Sequence, residues 1–143
     1  MLTLRESAWR ISVALVIGGA ALITIGALLP WWDYGYDGSE GFDVRNGRIT
    51  LALGLANLAA PSLRLFDSSA AVRILLALFG SLCGGLVAAL GLMELNDIRE
   101  ARNLTAFIQV AVGSGVYVTI VGGFFLLAGS VMGLVPPEGA AES

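Results

Sequence analysis

The chain contains no histidine, a single cysteine and few charges, with Asp, Glu, Lys and Arg making up only 13% of its residues. All eight basic residues are arginine, so lysine is missing as well. Without His, the commonest general base, metal ligand and near-neutral pH switch is unavailable to it. A lone Cys83 excludes an intramolecular disulfide, and its apolar neighbours point to an inert packed thiol; the redox compartment cannot be read from it. The all-arginine usage reads as a bias of a high-GC or salt-adapted genome rather than as a binding surface. A net charge of −3 leaves no nucleic-acid footprint. Catalytic sets are missing too. There is no cysteine pair, no glycine loop after a strand to cradle phosphate, and no intramembrane pair of carboxylates. Ser114 and Thr119 lie near Tyr117 with no base beside them. Neither an enzyme, a cofactor nor a metal site is expected.

What the chain does have is apolar length. Hydrophobic residues are 57% of 143, and mean hydropathy is +0.83. That is about 82 residues, against about 80 for four membrane spans of roughly 20. A soluble domain of this size leaves too much surface exposed to hide so many, and disorder is excluded by the same numbers. The expected fold class is therefore an all-α membrane protein, an antiparallel bundle of four transmembrane helices in one domain. Spans are expected at about 11–29, 49–66, 74–93 and 107–135, with a first outer loop at 31–48.

The first span lies between Trp9-Arg10 and Pro30-Trp31-Trp32, an aromatic belt at both ends. It is read as a retained anchor rather than a cleaved signal peptide, because it is long and its far end is rich in Trp. The second is the weakest: it holds Asn57, Pro61 and Arg64, and must kink through the proline to cross. The third carries no charge, and the fourth is overlong and should tilt or protrude. Asp67 or Ser68 would cap the third helix, and Asn103 the fourth. Residues Leu95 to Leu104 read as a helical extension of the third span or as a polar loop. Arg45-Asn46 and Arg102-Asn103 each precede an apolar run, a faint hint of duplication that coincidence explains better. Arg residues split evenly between the two faces, so orientation rests on Arg5 and Arg10 ahead of the first helix. Both termini are expected in the cytoplasm, with the protein in the plasma membrane.

Three sets of residues are candidates for function. The outer loop holds Trp31, Trp32, Asp33, Tyr34, Tyr36, Asp37 and Phe42, and aromatic residues on an exposed loop often carry binding energy. Equally, Trp31 and Trp32 could be belt residues and the rest a solvated connection. Carboxylates at 33, 37, 40 and 43 do not match an EF-hand. Asn46-Gly47 is a turn signal that would suit a small β-hairpin. The second set is small residues at helical spacing: Gly80, Gly84 and Ala88 on the third helix, and Ala111, Gly115, Thr119 and Gly123 on the fourth. Such stripes let helix backbones approach in lipid, within one bundle or between chains. The third set is the intramembrane polar groups Asn57, Gln109 and Glu94, which either pair structurally or line a wet path.

The Trp pair closing the first helix (LLPWW), the glycine-punctuated loop, RNGRITLALGL and GSGVYVTIVGG together resemble a broad group of small, uncharacterised four-span membrane proteins of bacteria and archaea. That resemblance implies a topology and no activity. The layout is also superficially similar to claudin-type tetraspans, but their paired loop cysteines are missing here. The expected role is a non-catalytic accessory, scaffold or self-associating subunit, whose partners are the bilayer and another membrane protein or copies of itself. The alternative is a small oligomeric transporter or channel with its path near Asn57, Gln109 and Glu94.

Overall fold

A computed structural model describes residues 4–33, 38–40, 45–65, 69–104 and 111–134. Four α-helices dominate: α1 (Leu4–Leu28), α2 (Arg45–Ala59), α3 (Ala70–Leu104) and α4 (Ser114–Met132). Three short strands, β1 (Pro30–Asp33), β2 (Gly38–Glu40) and β3 (Ala111–Val112), form an antiparallel sheet in the order β2-β1-β3. Segments Ser7–Leu28, Ala70–Asn103 and Ser114–Met132 are each long and apolar enough to cross a membrane. This is a membrane-embedded helical protein.

The helices pack by backbone proximity, as expected where lipid supplies no hydrophobic drive for their association. The adjacent Gly122 and Gly123 of α4 point about 100° apart and meet different neighbours. A Cβ on Gly122 would lie 2.9 Å from the Gly19 carbonyl of α1, and one on Gly123 would lie 2.9 Å from the Gly84 carbonyl of α3. Contacts run in opposite order along each pair: Ser12 meets Gly129 while Gly26 meets Gly115, and Gly84 meets Gly123 while Gly91 meets Ile120. So α4 is antiparallel to both α1 and α3. Helix α2 lies on α1, where Gly54 faces Thr24 and Ile23. Two apolar clusters fill the bundle. Ile23, Cys83, Val87 and Leu126 lie at mid-depth, and Trp31, Ile98 and Val116 lie under the sheet. Cys83 is buried and free.

Several expectations need correction. The fourth helix begins at Ser114, not near 107, and its 19 residues are not overlong. Ala111 and Val112 pair instead with Asp33 and Trp32, and the extended Gly113 (φ −71°, ψ 157°) turns the chain into α4. Ala111 therefore belongs to a strand and not to the helical stripe. Asn103 ends α3 rather than capping α4, whose N-terminus has no side-chain cap. The second element does not continue as a kinked α-helix through Pro61: α2 stops at Ala59 and tightens into a 3-10 helix at Ala60–Leu65. Proline has no N–H for the Asn57 carbonyl, which favours that change. Asn46-Gly47 is not a turn but part of the first turn of α2, so the β1–β2 hairpin closes earlier, between Asp33 and Gly38. The helical alternative holds for Leu95 to Leu104, which prolongs α3 to 35 residues. Asp67 and Ser68 lie outside the described residues, and the hydroxyl of Ser69 accepts the Val72 N–H at 3.3 Å at the start of α3.

Candidate functional site

The two ends of the bundle are chemically different. At one end, Pro30 stops α1 and removes the N–H that the Gly26 carbonyl would otherwise receive. The indole Nε1 of Trp31 donates to that carbonyl at 2.9 Å. Trp31 is fully buried, against Ile98 and Val116. Gly115 leaves it room: a Cβ there would come within 2.6 Å of the ring. Trp31 is thus neither a belt residue nor an exposed contact, because its ring area and its N–H are both satisfied inside the bundle.

Trp32 turns the other way and donates from Nε1 to Glu94 Oε1 at 2.7 Å. Asn46 Nδ2 donates to the second carboxylate oxygen at 2.9 Å. Glu94 is only 6% exposed, so two donors offset the cost of withdrawing its carboxylate from water. One carboxylate on α3 thereby joins β1 to the first turn of α2. Asp33 remains exposed. Tyr34, Tyr36, Asp37, Phe42 and Gln109 lie outside the described residues. Among the described residues no group of His, Cys, Asp or Glu could hold a metal ion.

The small-residue positions face inward. Gly84 and Gly123 meet each other, Ala88 meets Gly123, Gly80 meets Ser130, Gly115 meets Trp31, and Thr119 meets Gly26. The Thr119 hydroxyl is fully buried and has no hydrogen-bond partner among the described residues. Gly85 differs: a Cβ added there meets nothing within 4 Å, and Ala89 beyond it is exposed.

Asn57 lies at the opposite end, where α1 begins and α4 finishes. It is 1% exposed, and its amide nitrogen donates to the Leu53 carbonyl at 2.9 Å. Its carbonyl oxygen faces Gly80, beside a cavity of about 190 Å³ that Ser12 and Ser130 also line. Gly80 and Glu94 are separated by roughly four turns of α3, about 21 Å. The cluster of Ile23, Cys83, Val87 and Leu126 lies between Asn57 and Glu94.

No family model matches the chain, and no curated protein or solved structure matches it. That outcome is compatible with the small four-span group and attaches no activity to it.

Sequence reasoning missed Asn46 as the partner of Glu94, and Ser12, Gly80 and Ser130 as cavity residues. The available signal was polarity within apolar runs: Ser12 and Ser130 are isolated hydroxyls in two of the most hydrophobic segments.

Proposed function

We propose that the protein is a non-catalytic component of a prokaryotic plasma membrane that works by contact, as an accessory, scaffold or self-associating subunit. One observation carries this reading. With the Gly84 and Gly123 stripes used inside the bundle, α3 still presents Ser81, Gly85 and Ala89 at four-residue spacing on an open face, beside Leu78 and Leu82, which are 52% and 74% exposed. Small-xxx-small spacing on a lipid-facing helix is the geometry that lets a second helix approach closely.

The proposed topology has four crossings with both termini in the cytoplasm. Support comes from α2 and its 3-10 extension, which run beside α1 and α3 from the level of Glu94 to that of Gly80. Their combined length is about 34 Å, sufficient for a hydrocarbon layer of about 30 Å. The transporter alternative is less well supported, since the apolar cluster separates Asn57 from Glu94 and any path would have to form between subunits.

Crosslinking in native membranes through cysteines placed at Leu82, in a Cys83→Ala background, tests the contact reading. A discrete crosslinked species is expected, and Gly85→Leu should reduce it several-fold without changing the melting temperature. A strict monomer that captures no partner would contradict the proposal.

A further inference from the structure

The cavity at the Trp9 end has the features of a small-molecule site. It is about 190 Å³, against roughly 150 Å³ for an engineered apolar cavity that binds benzene. Its walls come from α1, the α2–3-10 junction, α3 and α4, and include Trp9, Ser12, Asn57, Pro61, Gly80 and Ser130. Among the described residues no charged side chain lines it, and Arg73, two turns before Gly80 on α3, is not among its walls. An ion entering such a space would lose hydration without gaining a countercharge, which selects for neutral ligands.

Two polar groups give the space direction. Asn57 and Ser130 are 1% and 3% exposed. The Asn57 amide nitrogen is engaged with Leu53, and among the described residues no donor reaches its Oδ1. Both oxygens converge on Gly80: an added Cβ would run into Ser130 Oγ and stand 3.6 Å from Asn57 Oδ1. Because Gly80 has no Cβ, the Ser130 hydroxyl occupies that space against α3. The Ser12 hydroxyl donates to the Gly129 carbonyl at 2.7 Å, so its oxygen is left as an acceptor. The polar side of the cavity is thus rich in acceptors. A complementary ligand brings a donor and buries an apolar body.

We propose that this cavity binds a small neutral aromatic molecule carrying one N–H or O–H donor, of the indole or phenol class, with the donor on Asn57 Oδ1 and Ser130 Oγ. Molecules of this kind concentrate at the membrane interface, as Trp and Tyr side chains do. The bundle end that carries Trp9 and Pro61 is where such a molecule would enter.

The test uses the purified full-length protein in lipid nanodiscs and 5-fluoroindole, observed by fluorine NMR. Saturable binding is expected, with 5-fluoro-1-methylindole, which lacks the donor, about tenfold weaker. Asn57→Leu should abolish the discrimination between the two. Ser130→Ala, which removes the second acceptor, should weaken 5-fluoroindole and leave 5-fluoro-1-methylindole unchanged. The melting temperature of each variant, taken without ligand, identifies any that has simply lost its fold. Non-saturable partitioning equal to that of empty nanodiscs, equal affinity for the two probes, or a co-purifying lipid chain that 5-fluoroindole does not displace would each overturn the proposal.

Discussion

The Trp31 end and the Trp9 end of this bundle are built from similar materials, an indole, a proline, an amide side chain and a glycine, and reach opposite results. At the Trp31 end every one of these is consumed. Pro30 frees the Gly26 carbonyl and the Trp31 indole takes it, Gly115 makes room for the ring, and Asn46 satisfies Glu94. At the Trp9 end the corresponding parts stop short of closure. Pro61 breaks α2, Gly80 admits only the small Ser130 side chain, and the Asn57 oxygen lies beside the cavity. The difference lies in size. A Trp side chain fills the first space, whereas the second, walled by Trp9, Val13, Asn57, Pro61 and Leu76, is left as a cavity of about 190 Å³. One end is a latch and the other a receptacle.

The largest way to break this contrast is Trp31→Ala. It empties the fully buried ring site and leaves the Gly26 carbonyl with only the long Leu29 N–H bond of 3.3 Å, so a loss of about 3–5 kcal/mol is expected in detergent unfolding. An effect below about 1 kcal/mol would mean the latch is not closed.

Glu94→Leu comes next. It removes the acceptor for both Trp32 and Asn46 and should cost about 1–3 kcal/mol, read by the same unfolding measurement. Trp32 emission should shift to the red as its indole gains water.

Thr119→Val has the smallest expected effect, and the sign is its point. The Thr119 hydroxyl is buried without a partner among the described residues, so replacing it by a methyl group should stabilise the protein by up to about 1 kcal/mol. Destabilisation would show that the hydroxyl has a role at the α1–α4 contact.

Much of the fold was legible because it follows from hydrophobic length and small-residue spacing. The α1 and α3 helices, the end of α1 ahead of Pro30 and the burial of Cys83 all follow from such local patterns. The latch and the cavity were not legible, for a reason of range. Asn46 and Glu94 are far apart in sequence, as are Ser12 and Gly129, and nothing local in either pair specifies the other. The start of α4 was misplaced because residues 107–112 are as apolar as a helix, while the competing choice, pairing with β1, depends on a strand near residue 32. Trp31 was misassigned to the surface because two adjacent tryptophans after a helix look alike in sequence. Alternation along β1 sends one inward to α1 and the other towards Glu94.

The most direct test of the contrast between the ends is thiol accessibility at two matched positions. In a Cys83→Ala background, Val13→Cys lines the cavity and Val116→Cys lies fully buried beneath the latch. A small maleimide in nanodiscs should label Val13→Cys readily, with protection by 5-fluoroindole, and leave Val116→Cys unmodified while the protein is folded. Equal labelling at the two positions, or faster labelling at Val116→Cys, would contradict the account.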